Sequence, residues 1–169
     1  MLKLLEQNPE KKYAGILLHP TSLPGRQGIG TLGKESFRFI DFLSKSGNSI
    51  WQMLPLGPSG FGNAPYSATS VFAGNPFLID LYSIKDKGLL PDFEISDFET
   101  GEGNVDFLKV RDIKERALYS AYREFSGSED AFPEIKKGLE EFINSEKEWL
   151  EDFCLYLALK EYHGGAPWY

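Results

Sequence analysis

One cysteine, two histidines and no long uninterrupted apolar run exclude several kinds of chemistry from this 169-residue chain. A lone Cys154 cannot form an internal disulfide or a thiolate metal cage, and its apolar helical context, EDFCLYLAL, predicts a small buried hydrophobe. His19 and His163 are too far apart to suggest a metal site, and no cofactor is expected. No stretch is long enough to span a membrane, and MLKLLEQNPEKK lacks the apolar core and cleavage site of a signal peptide, so a cytoplasmic protein is expected. The formal charge of −7 and the lack of a Lys/Arg cluster disfavour nucleic acid and anionic membranes as partners. GRQGIGTLG has neither phosphate-loop spacing, and Ser22 and Ser67 lack the context of an acyl-transfer nucleophile.

Glycine, proline and aromatic residues are instead concentrated in IWQMLPLGPSGFGNAPYSATSVFAGNPFLIDL, residues 50–81. Prolines 55, 58, 65 and 76 restrict the backbone, while glycines 57, 60, 62 and 74 permit sharp turns. Trp51, Phe61, Tyr66 and Phe72 supply ring faces, with Asn63, Ser67, Thr69 and Asn75 as polar neighbours. A sugar needs both, for its CH faces and its hydroxyls. A well-packed Ω-type loop with aromatic filler has the same composition.

Around that loop, the apolar run Tyr13 to His19 predicts a buried strand, ESFRFIDFLSKSG a helix burying Phe37, Ile40 and Leu43, and Asn48 to Leu56 a second buried strand. Strand, helix, strand is the unit that joins parallel strands. From Val105 a helical rhythm through Val110, Ile113 or Lys114, Ala117 and Ala121 ends at Gly127. A shorter helix is predicted from Pro133 to Asn144, after which Ser145 and Glu148 carry a capping-box signature for another helix, with Trp149, Phe153 and Leu157 on its buried face. The fold class is α/β. The domain reading is residues 1–82 as two strands, their helix and the loop, 83–104 as a linker, and 105–169 as a helical subdomain. Two strands leave unpaired edges, and a complete (β/α)8 barrel takes roughly 250 residues. The chain therefore has room for only the opening of an incomplete TIM barrel with a mostly helical insertion.

Asp80, at the end of NPFLID, is the best-placed acid, but an Asp starting a turn explains it equally well, and no convincing carboxylate pair is present. His19 reads as a structural hydrogen-bonding residue at a strand end, and His163 as a helix terminus.

The blocks GILLHPTSLPG, GIGTLG, WQMLPLGPSGFGNAPYS, FAGNPFLIDL and ALKEYHGGAPWY together resemble, in order and spacing, the N-terminal region of amylomaltases, the 4-alpha-glucanotransferases or disproportionating enzymes. The resemblance implies a (β/α)8 enzyme that moves alpha-1,4-glucan segments between malto-oligosaccharides, or to a glucose acceptor, by retaining double displacement. It places the nucleophilic Asp and the acid/base Glu beyond Tyr169, so no catalytic residue is assigned within this chain. The rest of the barrel is then an expected partner and the chain alone is expected to be inactive. On the substrate side, Tyr66 matches the tyrosine that packs near the sugar at the cleavage subsite. Gly62, Asn63, Ala64 and Pro65 match the adjacent donor groove, and Phe61 a secondary glucan contact. Ala64 replaces a serine common in relatives and Phe61 lacks a phenolic hydroxyl, so two polar contacts are missing. A stand-alone glucan-binding module and part of a related alpha-glucan hydrolase are the alternatives.

Overall fold

A computed structural model describes residues 12–91, 104–127 and 130–166. Strand β1 (Gly15–Leu17) and strand β2 (Ile50–Gln52) pair in parallel, with Ile16 opposite Trp51, and helix α1 (Lys34–Lys45) lies between them in sequence. The expected βαβ order is present. Both strands are shorter than the apolar runs predict, because Pro20 and Pro55 follow closely and ladder bonds flank the paired core by only one residue, Ser49 N–H to Ala14 O and Leu18 N–H to Gln52 O. Burial is also less than expected: Leu17 is exposed and Ile16 only half-buried. Two strands give each other one neighbour apiece, and no described element covers both faces.

In α1 the buried residues are Ser36 and Leu43, with Phe39 half-buried between them, whereas Phe37 and Ile40 are exposed. This 36, 39, 43 spacing is a legitimate helical stripe, one residue round from the expected one. Phe39 meets Trp51 edge-on, with centroids 4.9 Å apart, and thereby seats the helix on β2.

A 3-10 turn at Pro20–Ser22 follows β1, and two more, at Phe61–Asn63 and Pro76–Leu78, lie in the loop after β2. Helix α2 (Leu81–Asp86) occupies the start of the stretch read as a linker, of which residues 92–103 lie outside the described residues. Helix α3 (Phe107–Ser126) begins where Asp106 accepts from the Leu108 and Lys109 amides, each at 3.1 Å. Its buried stripe supplies both core clusters. Val110 packs with Ile29 and Phe77, while Ile113, Ala117 and Ala121 pack with Leu81 and Leu90. The core thus joins residues on both sides of the 83–104 stretch. Burying a leucine such as Leu81 contributes about 1.5–3 kcal/mol relative to leaving it in water.

Helix α4 (Pro133–Tyr162) is continuous, correcting the two-helix expectation. Ser145 donates to the Phe142 carbonyl at 3.0 Å, an interior helical bond, so the capping signature is not used. No proline interrupts the ladder there, and a cap operates only where the chain enters a helix from outside. Trp149 and Phe153 are half-buried, while Leu139, Phe142 and Leu157 are exposed. Cys154 is exposed, not buried, since it lies off the stripe that Trp149 and Phe153 define. Among the described residues no helix is long and apolar enough to cross a membrane.

Candidate functional site

The loop between β2 and α2 closes on itself through the Asn75 amide, which donates to the Leu56 carbonyl at 2.8 Å. Within that closure the chain folds into a narrow ribbon: Ser59 and Ala68 bridge antiparallel, Gly60 N–H donates to Ser67 O at 2.8 Å, and Thr69 N–H to Pro58 O at 2.9 Å. The tip is the turn Phe61–Asn63. Gly62 has φ 73° and Asn63 φ 55°, both left-handed, which glycine adopts without cost and asparagine tolerates better than most residues. Ser67 N–H then donates to Ala64 O at 3.0 Å, completing a second turn around Pro65 and Tyr66.

Each residue expected at the site lies on this tip. Tyr66 is 77% exposed, Ala64 is exposed and Pro65 half-buried, while Phe61 contributes backbone to the turn. Asn63 points inward: its Oδ1 is buried with no hydrogen-bond partner among the described residues. It borders a small cavity of about 30 Å³ lined in part by His19, Thr21, Pro55, Asn75, Phe77 and Phe107.

Several residues considered from sequence are committed to structure. The Trp51 indole donates to the Leu18 carbonyl at 2.7 Å, and Asn75 Oδ1 accepts from the Phe77 amide at 2.9 Å. His19 precedes the turn Pro20–Ser22, with Nδ1 2.7 Å from Thr21 Oγ1 and Nε2 3.4 Å from the Pro55 carbonyl. An Nε2–H tautomer would satisfy both contacts, consistent with a structural histidine. His163 is at the C-terminal cap of α4. Phe72 remains 68% exposed and stacks on Trp149 of α4, with centroids 5.8 Å apart, so the ribbon touches the helical part.

Asp80 is buried at the start of α2, accepting from Gln27 Nε2 and from Ser83 Oγ, the latter at 2.8 Å. Gly33 is required beside it, because a Cβ there would overlap the Asp80 carboxylate. The sequence reading did not identify Gln27 or Lys114 as partners. Gln27 Oε1 accepts from Leu81 N–H at 2.9 Å and from Lys114 Nζ at 3.1 Å, and Lys114 also donates to the Ile79 carbonyl. Burial lowers the Lys114 pKa to about 8, with the neighbouring Asp80 charge opposing part of that shift. The available signal was a lysine in the apolar rhythm of α3. No group of three metal-ligating side chains occurs among the described residues.

The family profile for glycoside hydrolase family 77, 4-alpha-glucanotransferase, matches residues 18–169. A 4-alpha-glucanotransferase of Thermus thermophilus is 46% identical over 154 residues, covering 91% of this chain and 30% of that protein. One from Synechocystis is 42% identical, covering 95% of this chain and 32% of its own length. Among solved structures, an amylomaltase from Streptococcus agalactiae in complex with acarbose superposes with TM-score 0.79 at 35% identity, covering 92% of this chain and 31% of that one. This chain therefore spans about a third of the length of these relatives.

Proposed function

This chain belongs to glycoside hydrolase family 77, the 4-alpha-glucanotransferases, and from that premise we propose that it forms the donor-sugar side of such an enzyme. The enzyme would transfer alpha-1,4-glucan segments between malto-oligosaccharides, or to glucose. β1, α1 and β2 are the opening of its (β/α)8 barrel, and the exposed Phe37 and Ile40 face its further elements. The nucleophilic Asp and acid/base Glu lie beyond Tyr169 in this reading, and double displacement through a covalent glucosyl intermediate proceeds there.

The ribbon's contribution is positioning. Tyr66 stacks on the sugar at the cleavage subsite and offers its phenol as a hydrogen-bonding group. Gly62, Asn63, Ala64 and Pro65 shape the groove beside it, and Phe61 is a secondary glucan contact. Because the ribbon is already closed by backbone bonds, little ordering entropy opposes sugar binding. The supporting observation is an exposed Tyr66 on a pre-ordered tip inside the family match.

Titration of the chain with maltoheptaose, followed by amide NMR, tests this. Shifts are expected at Gly62, Asn63 and Ala64 and not at the β1–β2 amides. Tyr66→Ala should abolish them, while Tyr66→Phe, lacking one neutral hydrogen bond, should weaken binding about tenfold or less. A Tyr66→Ala chain that stays folded and binds maltoheptaose as the unaltered chain does would remove Tyr66 from the site.

A further inference from the structure

Helix α3 is amphipathic apart from one residue. Lys114 lies between the core residues Ile113 and Ala117 and is only 1% exposed, the largest side chain buried so completely among the described residues. A solvated lysine at that helical position would need a path to water, and this one has none. Its donors instead meet acceptors far away in sequence: the Ile79 carbonyl and Gln27 Oε1.

Those two acceptors stand at the base of the sugar-facing ribbon. The Ile79 amide closes the turn Pro76–Leu78 by donating to Pro76 O at 3.1 Å, and Leu78 N–H donates to Asn75 O at 3.0 Å. Asn75 caps that turn with its side chain and closes the ribbon with its own amide on Leu56 O. From the other side, Leu32 N–H donates to Leu78 O at 2.8 Å, and Gln27 bonds both Asp80 and the Leu81 amide. A continuous chain of bonds therefore runs from Lys114 through Ile79 and Asn75 to the closure of the ribbon that carries Tyr66.

We infer that Lys114 is a positioning residue for sugar binding: from inside α3 it fixes the Pro76–Leu78 turn, and through it the ribbon that presents Tyr66. The inference rests on the proposed glucan role for its consequence but not for its geometry. The amine is required as a donor. Its neutral form still carries two N–H groups for Ile79 O and Gln27 Oε1, so the charge is not what holds the turn. Lys114→Met keeps the length and removes the donors, whereas Lys114→Arg keeps donors on a cation.

Residue-resolved amide hydrogen exchange on the full chain tests this, with maltoheptaose binding measured alongside. In Lys114→Met the Gly60, Thr69 and Asn75 amides should exchange about tenfold faster, as expected for loss of a restraining hydrogen bond. The Leu18 amide of the β1–β2 ladder should be unchanged. Lys114→Arg should restore slow exchange, and maltoheptaose affinity should follow the ribbon amides across the series. Unchanged ribbon amides, or equal acceleration at Leu18, would overturn the inference. If Lys114→Met does not fold, Lys114→Gln provides the same comparison, since its shorter side chain keeps a polar donor inside the core but draws it back from the Ile79 carbonyl. Selective acceleration of the ribbon supports the inference, and uniform or absent acceleration overturns it. An unaltered chain that ignores maltoheptaose while the exchange pattern appears as expected would overturn the glucan role and leave the positioning role standing.

Discussion

Tyr66 at the tip of the ribbon and Lys114 at its base have opposite environments, 77% and 1% exposed. The first was legible in sequence because its neighbours, FGNAPYS, carry their own turn chemistry. The second was ambiguous because Ile113 and Lys114 both fit one helical rhythm, and the acceptors that accommodate a buried amine lie 87 and 35 residues away. Cys154 was misread for a related reason, since apolar sequence neighbours do not determine which face of a helix a residue occupies. Burial of Lys114 has a consequence for stability. Its pKa falls from 10.5 to about 8 in the folded chain, so between those values the unfolded chain holds a proton that the folded chain does not. Stability contributed by this group should therefore rise with pH across that window, by about 3 kcal/mol over its full width, and be lowest below pH 8. Urea unfolding from pH 7 to 10 should show this rise in the unaltered chain and its loss in Lys114→Met. Equal pH slopes in the two would contradict the assignment.

At the scale of elements, the parallel βαβ order and the helix from Phe107 to Ser126 were legible, because strand–helix–strand patterning and an apolar stripe survive without tertiary detail. Strand lengths were not, since an apolar run continues past the last residue that finds a pairing partner. The capping motif at Ser145 failed because its local alternative lost to an uninterrupted helical ladder. The two possible caps now differ in expected cost. Asp106→Ala removes an acceptor from two amides at the start of α3 and should lower stability by about 1 kcal/mol. Ser145→Ala in the exposed interior of α4 should change it by about 0.5 kcal/mol or less. Denaturant midpoints at constant slope would measure both, and a larger loss for Ser145→Ala would restore a helix boundary at that residue.

At the scale of the whole molecule, the recurring theme is a ribbon ordered from below and open above. The buried Gln27, Asp80 and Lys114 network and the Ile29, Phe77 and Val110 cluster hold its base, while Phe72 meets Trp149 at its flank. Its exposed tip lies within the single block WQMLPLGPSGFGNAPYS, whose turn residues act locally, whereas the supporting network joins Gln27, Asp80 and Lys114 across distant parts of the sequence and was not legible there. The central claim is that this chain supplies the donor side of a glucan transfer site whose reacting carboxylates come from elsewhere. The most direct measurement replaces the matching N-terminal part of the Thermus thermophilus 4-alpha-glucanotransferase with this chain and follows maltotriose. The chimera should release glucose and form longer maltodextrins, with Tyr66→Ala reducing transfer while leaving the fold intact, and the 169-residue chain alone should leave maltotriose unchanged. Turnover by the purified chain alone, or a folded chimera whose transfer is indifferent to Tyr66→Ala, would contradict the account.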